Sequence, residues 1–129
     1  MKVLSIREPW ASLIINGYKE YEFRTWKTNY RGKILIHASR NIEKDNIIRF
    51  EEIDLVYKPG FIIGEAELVD CIPVTKDFED DLIKKDELVY GASRDRGGYA
   101  WKLKNIRRIN PKEVKGKLGL WNYDIEIWH

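Results

Sequence analysis

LSIREPWASLIINGYKEYEFRTWKTNYRGKILIHASR, residues 4–40, changes hydrophobic period more than once, and those changes decide the fold class. From Lys2 to Arg7, Val3, Ser5 and Arg7 alternate with Leu4 and Ile6, the period of a short strand. Pro9 suits the first turn of a helix, where its missing N–H has no partner to lose, and Glu8 stands at that helix's positive end. Trp10, Leu13 and Ile14 form one apolar stripe, and Gly17 stops the helix. From Lys19 the period returns to two, with Tyr21 and Phe23 on a core face and Glu20, Glu22, Arg24 and Trp26 on the other. Glu22 and Arg24 then lie about 7 Å apart along one strand face. Lys33 to Ala38 is almost continuously apolar apart from His37, the pattern of a strand buried on both faces.

Working outward, Asn41 is placed to cap a helix running through Ile42, Ile47, Ile48, Phe50 and Ile53, which Lys58-Pro59-Gly60 ends. Phe61 to Val74 is the longest strand candidate, with Glu65 and Glu67 on one face and Gly64, Ala66 and Leu68 on the other. Asp77 to Glu87 reads as a short exposed acidic helix, and residues 91–98, GASRDRGG, as a loop carrying Arg94 and Arg96. Tyr99 to Arg107 alternates Tyr99, Trp101 and Leu103 against Ala100, Lys102 and Lys104, a strand with an aromatic and a basic face that Asn110-Pro111 breaks. A last strand spans Leu118 to Tyr123, followed by Ile125 and Ile127. About six strands with two or three short helices inserted early and midway predict an α+β domain with a mixed or barrel-like sheet.

A length of 129 residues predicts one domain, residues 1–129. No apolar run approaches the roughly 18 residues that cross a bilayer. MKVLSIREPW carries charges where a signal peptide needs its apolar stretch, so a cytoplasmic protein without membrane association is expected. Cys71 stands alone, and with His37 and His129 it makes no zinc spacing; neither a metal nor a cofactor is called for, and Cys71 reads as a buried, inert thiol. Charge is segregated: residues 1–40 hold 8 basic and 3 acidic side chains, residues 41–93 hold 6 and 14, and residues 94–117 hold 9 and 2. If the first and third blocks meet in the fold, they form a basic surface suited to phosphate.

Several of these pieces together resemble the activating-signal-cointegrator homology (ASCH) domain of the PUA-like superfamily: LSIREPWASLIINGYKEYEFRTW, YRGKILIHAS, GEAELVDCIPV, YAWKLKN and KGKLGLW, in that order. Most specific are the G-x-K-x-x-E-x-R element at Gly17, Lys19, Glu22 and Arg24 and the pair Arg31-Gly32. The resemblance implies a PUA-like β-barrel with a cleft between the first helix and the strand after it, serving RNA binding or processing. It also implies an enzymatic alternative, because short bacterial ASCH proteins include amidohydrolases that deacetylate N4-acetylcytidine with a Lys, a Thr and a Glu. The lysine falls on Lys19, the threonine position falls on Glu22, where the match breaks, and Glu65 and Glu67 stand on a suitable strand for the third group. A relative that resembles a ribonuclease keeps RNA cleavage among the alternatives.

The candidate site is therefore Trp10, Lys19, Glu22, Arg24, Trp26 and Arg31, with Lys19 and Glu22 as catalytic candidates if chemistry occurs. A lysine beside a cationic arginine can act as a base or bind phosphate, and the alternative is an ion pair of Lys19 with Glu22. Glu22 and Arg24 can read a base edge, or simply pair with each other. Arg31 would assist on phosphate. Among Trp10, Trp26, Tyr99, Trp101 and Trp121, the first two adjoin the charged element and are expected to be exposed for stacking, the others to pack the core. His37 is an acid–base candidate or a hydrogen-bonded core histidine. The expected partner is RNA, another single-stranded nucleic acid or a nucleoside; the alternatives are a hydrolase using the same cleft and a protein-interaction module that uses the acidic middle block.

Overall fold

The computed structural model describes residues 1–92 and 97–124. Its elements, in chain order, are β1 (Lys2–Glu8), α1 (Trp10–Ile15), β2 (Tyr21–Arg24), β3 (Gly32–Ile42), α2 (Lys44–Arg49), β4 (Phe61–Pro73), α3 (Lys76–Lys85), α4 (Glu87–Tyr90), β5 (Tyr99–Glu113) and β6 (Leu120–Asn122). The strands form one mixed sheet in the order β2-β5-β4-β3-β1-β6, in which β1 and β3 are parallel and the other neighbours antiparallel. This is the α+β architecture with a mixed sheet that the alternating periods predict.

The period-two strands close on α1 because both bury their apolar sets in one place. Leu4 and Ile6 of β1, Ile14 and Ile15 of α1, Ile34 and Ile36 of β3, Ala66 and Leu68 of β4, and Trp101 and Leu103 of β5 pack into a single cluster. Gly64 lets α1 approach, since a Cβ there would lie 2.5 Å from Ile15 Cδ1 and 2.6 Å from the Arg107 carbonyl oxygen. The sheet's other face is covered by a second cluster of Val3, Leu35, Ile62 and Trp121. Register shifts along β4 and β5, with Asn105 in a left-handed conformation (φ 53°), mark bulges that increase the coiling of the sheet. Coiling brings its margins together without pairing them: Arg24 of β2 donates from Nη2 to the Ser5 carbonyl of β1 at 2.6 Å, although three strands separate β2 from β1 in the sheet. The result is barrel-like with an open seam.

Three expectations need correction. Asn41 does not cap a helix: β3 runs through it to Ile42, held by pairing of Glu8 with Ile42 and by the Glu43 N–H bond to the Glu8 carbonyl, and α2 begins only at Lys44. Asn110-Pro111 does not end β5, because β2 covers β5 only from Tyr99 to Lys102 and a proline beyond that point faces an unpaired edge. The acidic segment folds as two helices, α3 capped by Thr75 and α4 capped by Asp86, where one was expected. Arg94 and Arg96, as well as Ile125 and Ile127, lie outside the described residues. Among the described residues no helix is long and apolar enough to cross a membrane.

Candidate functional site

A cavity of about 480 Å³ opens in the seam between β2, β1 and the turn before β6. Local sequence puts Lys19 into its floor. α1 ends at Gly17, which takes φ +83°, and the N–H groups of Tyr18 and Lys19 both bond back to the Leu13 carbonyl. The chain therefore folds under the helix before β2 starts, and Lys19 is only 4% exposed. Its ammonium donates to the Tyr21 carbonyl and to Glu22 Oε1 at 3.1 Å, and lies 5.0 Å from the centre of the Phe23 ring and 5.6 Å from that of Trp10.

Glu22 joins two cations. Its second oxygen, Oε2, meets Arg24 Nη2 at 3.1 Å, so that Lys19, Glu22 and Arg24 form one buried chain of alternating charge with an excess positive charge. Placing Glu22 and Arg24 on one strand face is what the alternating pattern predicts; burying that face in the seam is not. Arg24 Nε is buried with no hydrogen-bond partner among the described residues. Removing three charges from water costs more than an apolar packing of the same volume would, so the triad is poorly explained by stability alone.

Aromatic walls complete the pocket. Trp10 is half-buried, edge-on to Phe50 at 5.6 Å, and Trp26 is 41% exposed, edge-on to the buried Trp101 at 4.8 Å. Both line the cavity, as do Phe23 and Tyr90. Tyr90 accepts the Glu20 N–H at 2.9 Å, and burial raises its phenol above the ordinary value. Around the mouth stand Ser5, Arg7, Thr25, Ser39, Asn41, Glu43 and Leu118.

Of the predicted site residues, the structure thus gathers Trp10, Lys19, Glu22, Arg24 and Trp26 around one cavity. Arg31 is not in its lining: its Nη1 donates to the carbonyls of Thr28 and Tyr30, and its Nη2 lies 4.0 Å from Asp70. His37 is a core histidine, 2% exposed, whose Nε2 donates to the Val114 carbonyl at 2.8 Å while Nδ1 faces Ser5 Oγ at 3.3 Å. Cys71 is buried, and Glu65 and Glu67 lie outside the cavity's lining, bonded to Arg107 and Asn105. The two basic blocks do meet, as β2 and β5, but the acidic β4 sets Glu65, Glu67 and Asp70 opposite Arg107, Lys104 and Lys102, so the basic surface is largely neutralised. Sequence reading missed Ser5, Tyr90, Asn41 and Leu118. Ser5 and Arg7 alternate on one face of β1, which is a usable signal; nothing local points to the others.

The ASCH domain family model matches residues 4–114. The chain belongs to the ASCH domain family. It is 26% identical over 137 residues to activating signal cointegrator 1 of Homo sapiens, a match covering 96% of this chain and 22% of that protein. Its identity to the Mus musculus protein of the same name is 25% over 140 residues, with the same shares covered. The chain thus spans about a fifth of the length of the curated relatives it matches. In structure it is similar to ASCH from Zymomonas mobilis, with a TM-score of 0.64 and 17% identity, covering 97% of this chain and 88% of that one. A mutant form of that protein matches at the same TM-score over 98% and 93%. These structural likenesses establish an ASCH fold and no more.

Proposed function

We propose that this ASCH domain binds RNA or another single-stranded nucleic acid by taking one base into the seam pocket. The observation that carries the reading is the buried Lys19–Glu22–Arg24 chain, which opens into a cavity walled by Trp10, Phe23 and Trp26. About 480 Å³ lies within the ordinary range of small-ligand sites and accommodates one nucleoside. Aromatic faces supply stacking, and the guanidinium of Arg24, in the cavity's lining, supplies donors for the carbonyl or phosphate oxygens of the ligand. Glu22 has both oxygens held by cations, so its part is to orient Lys19 and Arg24.

Titration of the protein with nucleosides and short RNAs at low salt, followed by tryptophan fluorescence and calorimetry, tests this. Binding should be lost in Arg24→Ala and Trp26→Ala; absence of binding in the parent protein, or parent-like affinity in both variants, overturns it. A hydrolase acting on an acylated base is the second reading, favoured by an ammonium buried beside a carboxylate in the same pocket. Mass spectrometry after incubation with N4-acetylcytidine separates the two: release of cytidine, abolished by Lys19→Ala, supports chemistry, and no turnover at high enzyme concentration removes it.

A further inference from the structure

The segment between β5 and β6, residues 114–119, reaches the pocket's lining at Leu118 and Gly119 and is fastened to the fold at several points. Val114 donates its N–H to the Gly60 carbonyl and accepts from His37. The Ser5 hydroxyl donates to the Lys117 carbonyl at 2.7 Å, and the Ser5 N–H to the Gly119 carbonyl at 3.2 Å. Gly116 lies against the His37 ring, where a Cβ would be 2.3 Å from Cε1. Gly119, at φ +69°, lies beside the Trp26 ring, 3.5 Å from where its Cβ would stand. The strap is therefore built into the fold, and Ser5 ties it to the triad, since the Ser5 carbonyl is the acceptor of Arg24.

What the strap displays is unusual for the rest of the surface. Leu118 is 94% exposed, the most exposed large apolar side chain among the described residues, yet it lines the pocket beside the half-exposed Trp26. Lys115 and Lys117 precede it, both exposed, and Arg7 stands exposed in the pocket's lining. Several cations elsewhere are matched: Lys33 and Arg107 meet Glu65, Arg40 meets Glu113, Lys76 meets Asp80 and Lys102 meets Glu20. The side chains of Arg7, Lys115 and Lys117 have no hydrogen-bond or ion-pair partner among the described residues.

We infer that the strap is a second subsite, which holds the phosphodiester backbone and a neighbouring base of a single strand whose inserted base occupies the pocket. This rests on the nucleic-acid reading above and sharpens it: the ligand is a base within a strand, not a free nucleoside. Lys115, Lys117 and Arg7 supply the charge for consecutive phosphates, and Leu118 and Trp26 offer an apolar face at the lip for the base that stays outside.

The test compares the four nucleosides with the matching homotrinucleotides, for the parent protein, for Lys115→Ala/Lys117→Ala and for Leu118→Ser, at several salt concentrations. The parent should bind its preferred trinucleotide at least tenfold more tightly than the corresponding nucleoside. The double lysine variant should lose roughly tenfold of trinucleotide affinity and lower the salt slope by about 1.4, with nucleoside binding unchanged. Leu118→Ser should weaken the trinucleotide by a larger factor than it weakens the nucleoside, since Leu118 stands at the lip of the pocket. If nucleosides bind and trinucleotides bind no better, or if the lysine variant keeps the full salt slope, the strap subsite is refuted while the pocket reading stands; if neither ligand binds the parent protein, the pocket reading fails and the subsite falls with it. Circular dichroism of each variant confirms that the exposed substitutions leave the fold intact.

Discussion

Glu22→Gln probes the energetics of the seam most directly. The substitution keeps the shape of the side chain and one acceptor oxygen but removes the charge that Lys19 and Arg24 share at 3.1 Å each. The three side chains are 3%, 10% and 19% exposed for Lys19, Glu22 and Arg24, so solvent screens the loss weakly. Breaking a buried ion pair by deleting one partner costs about 3–5 kcal/mol, and the retained amide oxygen places this case near about 3 kcal/mol. For a chain of 129 residues the unfolding entropy is about 0.27 kcal/mol/K, which converts the loss into a fall in Tm of about 11 °C. The penalty belongs mainly to the Lys19 ammonium, which loses the Glu22 charge while its contacts with the Tyr21 carbonyl and the Trp10 and Phe23 rings stay in place. Replacing it as well, in Lys19→Met/Glu22→Gln, should therefore recover at least about 4 °C, a coupling that a double-mutant cycle by differential scanning calorimetry reads as non-additivity. A Tm within about 3 °C of the parent for Glu22→Gln, or additive single and double variants, would refute the claim that this charge chain is desolvated.

Glu8 gives a pH signature. It is fully buried, and desolvation raises its carboxyl above the ordinary value near 4.5, against hydrogen bonds from the Ser12 hydroxyl, the Ser12 N–H and the Lys58 N–H. The folded state then holds this proton to higher pH than the unfolded chain does, so the group's contribution to stability falls as pH rises from about 4.5 through the raised folded value. Glu8→Gln should accordingly gain stability relative to the parent between pH 4 and pH 7 in urea titrations, and a pH-independent difference would contradict the assignment. Gly116→Ala should push the strap off His37, at a cost of about 1–3 kcal/mol and with faster amide exchange at Val114, whose N–H bonds to Gly60; unchanged exchange there would show that the strap is not clamped. Thr75→Ala removes the oxygen that caps the Phe78 N–H at 3.1 Å and should cost about 1 kcal/mol in chemical denaturation, whereas a neutral result would mean that water replaces the cap.

What could be read from the sequence was whatever is decided locally. The change from period two to an apolar helical stripe and back, between Leu4 and Arg24, gives β1, α1 and β2, and the alternation that sets Glu22 and Arg24 on one face gives the core of the site. Asn41 misled because a capping residue before an apolar run is a local signal, and the partner that overrides it, Glu8, lies more than thirty residues earlier. Pro111 misled for a related reason, since whether a proline breaks a strand depends on whether the edge it faces is occupied. The pocket's far wall was harder to read: Ser5 and Leu118 come from opposite ends of the chain and meet because β6 pairs with β1, a long-range pairing that no local pattern announces. His37 shows the converse, a residue of catalytic type whose partners, Val114 and Ser5, mark it as a fastening.

The outer edge of β5 has a bearing on how the molecule tolerates crowding by its own copies. From Lys104 onward this strand, the longest of the sheet, has a ladder on one side only, and a flat apolar edge of that length would recruit a strand from a neighbouring chain into an intermolecular sheet. Here the bulge at Asn105, the missing donor at Pro111 and the charges of Lys104, Arg107, Arg108 and Lys112 fall along the same edge. Irregular geometry and a row of hydrated charged side chains make it a poor template, so the coiling that opens the seam also protects this edge from intermolecular pairing.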